Sequence, residues 1–427
     1  MVYSALRMNI EKSFNEMGIA PGILEILSRM KFTSPTPIQE QSIPVALEGK
    51  DLIGIAQTGT GKTLAFGIPM IQAVLRTKAE GLVILPTREL ALQVYEVFQN
   101  IAGPLGLRGA LLIGGEAIGR QTRDLQRHPH IIIGTPGRIL DHIERREGLL
   151  SHTTVLVLDE ADRMLDMGFA PQLSKILTTL PRARQTMLFS ATMPAEIVRI
   201  AQTHMRLPVR VEVAPSGSVL PEVTQELFFV SREAKPSLLL KLLGEYRGQI
   251  LVFVRTKFGV TKITRGLRAQ GHQAGELHSN RTLGQRREAL NGFKTGKYRV
   301  LVATDIAARG IDVKNIELVV NYDLPSNAED YVHRIGRTGR AGVRGHAIAF
   351  ATPDQRGNVR GIERLMRIAL PLSKLPELPN VPQVSQAVSF SPEKLTPFRG
   401  RNSRSPYSKP PRREFHGAER RIARRHR

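Results

Sequence analysis

The sequence predicts an α/β protein of two tandem domains, each a mostly parallel sheet flanked by helices, plus a disordered basic tail. Three observations predict it. Short β-branched and aliphatic runs alternate with segments of helical period, and one stretch rich in Pro, Gly and Ser interrupts that alternation. Beyond residue 376 the apolar content falls while Arg, Pro and Ser accumulate.

In residues 1–213 the runs DLIGIA, GLVILP, HIIIGTP, TVLVLDE and TMLFSAT alternate with helical stretches such as ELALQVYEVFQNIA. Such runs suit strands covered by helices on both faces, as in a parallel sheet. The segment VEVAPSGSVLPEV breaks both periods, and residues 214–218 read as a linker. Alternation restarts over 219–375 with QILVFVR, YRVLVATD, IELVVNYD and HAIAFAT, a second domain of the same class. Residues 376–427, with LPELPNVP and RNSRSPYSKPPRR, hold too few apolar side chains to bury a core.

Composition narrows the partners. A chain of 427 residues, 41% hydrophobic and 23% charged, suffices for two ordinary domains. No apolar run approaches eighteen residues and the amino terminus lacks a secretory apolar core, so no membrane partner and a cytoplasmic location are expected. The absence of cysteine excludes disulfides and thiolate metal sites. A net charge of +23 points to a polyanion, nucleic acid before membrane. Residues 391–427 carry twelve Lys and Arg against Glu393, Glu414 and Glu419, a net +9 that suits a nonspecific nucleic-acid tether and leaves +14 for the body.

Ala56-Gln57-Thr58-Gly59-Thr60-Gly61-Lys62-Thr63 follows a strand run and precedes the helical LAFGIPMIQAVL, the setting a phosphate-binding loop requires. Glycines allow the tight backbone whose N–H groups face phosphate, helped by the positive end of the helix. Lys62 would reach the β- and γ-phosphates and Thr63 a Mg²⁺ ion. Asp159-Glu160-Ala161-Asp162 ends the apolar TVLVL, placing carboxylates at a strand's carboxyl edge, where open α/β sheets bind ligands. Asp159 would hold the Mg²⁺ and Glu160 would deprotonate the attacking water. In the second domain His333-Arg334-Ile335-Gly336-Arg337-Thr338-Gly339-Arg340 offers Arg337 and Arg340 as positive charge for the γ-phosphate, with His333 beside them.

Further motifs follow in order. Phe32-Thr33-Ser34-Pro35-Thr36-Pro37-Ile38-Gln39 has Phe14 upstream. After it come Pro86-Thr87-Arg88-Glu89-Leu90-Ala91, Gly114-Gly115, Thr135-Pro136-Gly137-Arg138, Ser190-Ala191-Thr192, Arg255-Thr256, Ala303-Thr304-Asp305 and Ala308-Arg309-Gly310-Ile311-Asp312. With the phosphate loop and DEAD at 159–162, the chain resembles the DEAD-box family of RNA helicases in helicase superfamily two, of bacterial type with a short basic tail, from residue 14 to about 375. The resemblance implies RecA-like domains, ATP with Mg²⁺, and RNA gripped by its backbone regardless of sequence. It implies that Gln39 reads the adenine edge, Phe14 stacks on the ring and Asp312 accepts from the ribose hydroxyls. Ser190, Thr192 and Asp162 would couple hydrolysis to strand separation. Arg88, Gly115, Thr135, Arg138, Arg286 and Thr304 would meet RNA. Two positions depart from the family: Lys31 stands for the usual Gly before the aromatic, and Leu283 for the Gln of a Gln-x-x-Arg motif ending at Arg286. Leu283 cannot offer that Gln's hydrogen bond.

The expected activity is an ATP-driven motor that closes its two domains on RNA and separates a few base pairs locally, acting as a monomer; its protein partners are not legible. A DNA translocase and an ATP-gated RNA clamp remain as alternatives.

Overall fold

The computed structural model describes residues 13–57, 59–77, 80–213, 223–308, 313, 316–339 and 344–378. The Thr58, Asp312 and Arg340 expectations, the linker at 214–218 and nearly all of the expected tail lie outside them.

Two wholly parallel sheets organise these residues. The first contains β1 (Leu52–Ile55), β2 (Glu80–Ile84), β3 (Gly109–Leu112), β4 (Ile131–Gly134), β5 (Thr153–Leu158), β6 (Gln185–Ser190) and β7 (Val209–Glu212), in the order β3-β4-β2-β5-β6-β1-β7. The second contains β8 (Val223–Phe229), β9 (Gln249–Phe253), β10 (Ala274–Leu277), β11 (Val300–Ala303), β12 (Ile316–Asn321) and β13 (Gly345–Ala351), in the order β10-β11-β9-β12-β13-β8. Each sheet carries an apolar cluster on both faces, so inner strands such as β2 and β11 are buried almost throughout. A parallel sheet survives only when both faces are covered this way.

Strand order divides the first sheet's carboxyl edge. Neighbours β5, β6 and β1 end in the DEAD segment, Ser190 and the phosphate loop, with Ile55 in register with Ser190. Neighbours β3, β4 and β2 end in Gly114-Gly115, Thr135 and Pro86-Thr87-Arg88. Threonine fits where the chain turns from strand into helix, because its hydroxyl can cap an orphan N–H: Thr87 accepts from the Leu90 N–H at 3.3 Å and Thr256 from that of Gly259 at 3.0 Å. Lys31 has φ of 61° just past the helix Pro21–Arg29. That left-handed conformation suits glycine, which gives the family's usual Gly there a physical reason.

Candidate functional site

The β5-β6-β1 half is built around one buried lysine and three carboxylates. Gly61 has φ of 93°, and a Cβ there would collide with the Gln39 carboxamide and the Thr36 hydroxyl. Gln39 accepts from the Thr36 N–H at 2.9 Å and donates to the Gly61 carbonyl at 2.9 Å. Its amide therefore fastens the phosphate loop, leaving one N–H and one lone pair for an adenine edge. Phe14 is 4% exposed inside the domain's apolar cluster, so a stacked base would meet only that residual surface. Lys62, which opens the helix Lys62–Thr77, donates to the Ala56 carbonyl at 3.0 Å and stands 3.9 Å from Asp159 Oδ1. Gly59 has φ of 87°, the Thr60 hydroxyl donates to the Gln57 carbonyl at 2.8 Å, and Thr63 is half-buried in the helix's first turn.

Asp159, Glu160 and Asp162 are all buried and differ in their surroundings. Burial, opposed by Lys62 and reinforced by Glu160, pushes Asp159 up to about 6. Burial alone would raise Glu160 as well, but Arg163, Lys62 and Arg337 outweigh it and hold its carboxyl below the usual range. Arg163 Nη1 lies 2.5 Å from Glu160 Oε2. Glu160 has φ of 52° and ψ of 50°, a left-handed backbone rare for a residue with a side chain. Asp162 Oδ2 accepts from the Ala191 N–H at 3.1 Å and from the N–H and hydroxyl of Thr192 at 2.8 and 2.9 Å, while the Asp162 N–H donates to Ser190 Oγ at 3.2 Å. The carboxylate segment and the Ser190-Ala191-Thr192 segment are thus fastened to each other.

The β3-β4-β2 half is a groove of about 510 Å³ whose lining includes Arg88, Gly115, Thr135, Arg138, Ser279 and Arg286. Thr304, at the carboxyl end of β11, is not part of that lining. A side chain on Gly114 or Gly115 would strike the Arg88 guanidinium, so the bare backbone makes room for it. Burial, then Arg286 and Arg138, lower the Arg88 pKa against the pull of Glu89. Arg286 and Arg138 are partly offset by Glu89 at 2.8 Å and Asp141 at 3.4 Å, so the groove keeps a positive lining centred on Arg88 that suits a polyanion.

A residue not singled out in the sequence organises this half. Gln121 is 1% exposed; its amide donates to the Ile113 carbonyl at 2.8 Å, and its oxygen accepts from Arg138 Nη1 at 3.3 Å and lies 3.2 Å from His142 Nε2. Because that oxygen can only accept, His142 donates from Nε2. The one available signal was position: Gln121 falls between Ile118 and Leu125 at helical spacing, on the buried face of its helix.

The second domain contributes to both halves. Arg286 Nη2 lies 2.8 Å from Glu89 Oε1 with both side chains largely buried, and Arg287 Nη2 lies 3.0 Å from Glu116 Oε1. Leu283, one turn before Arg286, is 8% exposed and belongs to the first domain's apolar cluster. The position that lacks the family's amide is thus filled by apolar packing across the domains. On the nucleotide side Arg337 is 2% exposed, and its charge acts on Glu160. Burial, with Arg163 next, lowers His333 to about 3, so its ring is neutral at physiological pH. Arg334 is committed elsewhere, bidentate to Asp305 at 2.5 and 2.7 Å and bonded to Asn321 Oδ1 at 2.9 Å.

This division of one sheet edge into a phosphate half and an arginine-lined half defines a nucleotide-dependent motor on nucleic acid. Residues 36–200 match the DEAD/DEAH box helicase family and residues 234–342 the helicase conserved C-terminal domain, and the chain belongs to the DEAD-box family of ATP-dependent RNA helicases. Among its relatives, the ATP-dependent rRNA helicase RRP3 of Debaryomyces hansenii is 45% identical over 381 residues, covering 88% of this chain and 78% of that one. The DEAD-box ATP-dependent RNA helicase CshA of Bacillus cereus is 46% identical over 355 residues, covering 82% and 68%. Among solved structures, S. cerevisiae Dbp5 bound to RNA and ADP BeF3 superposes with a TM-score of 0.76 at 31% identity, covering 85% and 95%. Mss116p bound to ssRNA and AMP-PNP gives 0.79 at 27%, covering 86% and 80%. Among the described residues no helix is long and apolar enough to cross a membrane.

Proposed function

We propose that this chain hydrolyses ATP between residues 1–213 and 219–375 and uses the cycle to separate short RNA duplexes locally. The observation that carries the reading is the position of Arg337: a buried second-domain guanidinium that lines one small cavity with Arg163, the first-domain partner of Glu160. Lys62 exchanges the Ala56 carbonyl for the β- and γ-phosphates. Glu160, kept ionised by Arg163, accepts a proton from the attacking water, and Arg337 meets the charge developing on the phosphoryl oxygens. Through Asp162, the Ser190-Ala191-Thr192 segment follows the change, while Arg88, Arg138 and Arg286 hold the RNA backbone.

The residues present fit Mg²⁺. Asp159 is a desolvated carboxylate that a cation would relieve, and Thr63 adds a second hard oxygen. When bound, the ion neutralises charge on the transferring phosphate.

The test is release of a labelled strand from a short RNA duplex. ATP-dependent release is expected, together with ATPase activity stimulated by RNA and not by the 2′-deoxy strand. Release that ignores ATP, or equal stimulation by DNA, would refute the reading.

Gln121 has a role of its own as the residue that positions Arg138 and the Gly114-Gly115 turn. Gln121→Met leaves the Ile113 carbonyl and an Arg138 N–H without that partner, a loss of about 1–3 kcal/mol. The RNA concentration that half-saturates ATPase activity should rise about tenfold while the KM for ATP stays put. RNA-titrated ATPase assays check this, and equal changes in both constants would reassign Gln121 to general stability.

A further inference from the structure

The helix Lys257–Ala269, KFGVTKITRGLRA, carries Lys257, Lys262, Arg265 and Arg268 and no acidic residue. Its inner face buries Val260, Thr264 and Leu267. Phe258, Lys262 and Arg265, at helical positions i, i+4 and i+7, share the opposite face and are all exposed. Phe258 is 71% exposed, with Lys257 Nζ 5.4 Å from its ring centroid. Among the described residues the side chains of Lys262 and Arg265 have neither an ion pair nor a hydrogen bond.

A single exposed apolar side chain is ordinary on a protein surface; its place in the fold makes this one informative. The helix leaves the carboxyl end of β9, the edge to which β10 brings His278 and Ser279. Thr261 Oγ1 donates to Glu276 Oε2 on β10 at 2.8 Å, fixing the helix's early turns beside that edge. Ser279, three residues beyond Glu276, lines the groove of Arg88, Arg138 and Arg286. The helix that carries the aromatic and basic face is therefore tied to the strand that runs into the groove. From Phe258 to Arg265 the face extends about 10 Å at 1.5 Å per residue, long enough to span more than one nucleotide.

We propose that this face is an accessory RNA subsite. Single-stranded RNA leaving the groove stacks one base on Phe258 and lays phosphates against Lys262 and Arg265. Every base offers a π-face, so the subsite holds RNA without reading sequence. It rests on the RNA-groove reading above and extends the footprint beyond it.

The experiment measures binding of the full chain to labelled single-stranded RNAs of increasing length, with Mg²⁺ and a non-hydrolysable ATP analogue, by fluorescence anisotropy. Wild type should gain affinity once the RNA outgrows the groove. Phe258→Ala should lose about tenfold on long RNAs and nothing on the shortest, and Phe258→Trp should retain the gain. Abasic flanking nucleotides should erase the difference between wild type and Phe258→Ala. Replacing Lys262 and Arg265 together with Ala should flatten the slope of log affinity against log salt by about 0.7 for each phosphate no longer neutralised. A Phe258→Ala chain that matches wild type at every length, or loses equally at every length, overturns the subsite. So does a wild type that binds short RNA with no gain on lengthening. If wild type binds none of the RNAs, the groove reading fails and the subsite with it.

Discussion

Glu160→Gln is expected to bind ATP and RNA normally and to lose turnover by a factor on the order of 10³, the scale of removing a positioned general base. The substitution is nearly isosteric, so the left-handed backbone at 160 and the 2.5 Å approach of Arg163 persist in outline. What disappears is the negative charge, held in place by Arg163, Lys62 and Arg337 against the cost of burial. Steady-state ATPase with saturating RNA, alongside nucleotide binding, separates the two effects. Turnover near wild type would remove Glu160 from the chemistry. Loss of ATP binding together with turnover would mean that the substitution had disturbed the pocket, so the thermal midpoint should be measured on the same preparation.

Arg337→Ala should lower RNA-stimulated turnover by a similar factor, on the order of 10³ at least, because a guanidinium presented to the transferring phosphate acts mainly in the transition state. Arg337 is 2% exposed and its charge reaches Glu160 across the domains. Neighbouring Arg334 is spent on Asp305, Asn321 and the Asp323 carbonyl, so Arg334→Ala should unfold or loosen the second domain instead. The contrast is the measurement: Arg337→Ala keeps the wild-type melting temperature and loses kcat, and Arg334→Ala loses melting temperature first. An Arg337→Ala enzyme with unchanged kcat would end the assignment.

The runs read from the sequence correspond to nine strands, β1, β2, β4, β5, β6, β9, β11, β12 and β13. The other four, β3, β7, β8 and β10, stand at the two edges of each sheet. An edge strand is paired on one side only, and β3, β7 and β8 are partly exposed, so they need no unbroken apolar run; Val209–Glu212 reads VRVE with alternate exposure, whereas β10 is buried throughout and is masked in the sequence by Gly275 and Glu276. The site divides similarly. Glycine and carboxylate motifs are legible because their chemistry is local, one turn of backbone for one ligand. Gln121 depends on which side chain a helix turns towards other elements, here the Ile113 carbonyl and Arg138, and no short spacing encodes that. For Gln39 the sequence indicated the residue and the structure added a partner, the Gly61 carbonyl.

Leu283 gives the meeting of the two domains a temperature dependence. Beside it the same helix offers Arg286 and Arg287 to Glu89 and Glu116, pairs whose formation also strips hydration water from the charges. A leucine buried in the other domain's apolar cluster contributes about 1.5–3 kcal/mol near room temperature, a contribution that weakens on cooling. Cooling therefore lengthens the time the two domains spend apart, and the more exposed Arg287–Glu116 pair is the part of the hold that salt can screen.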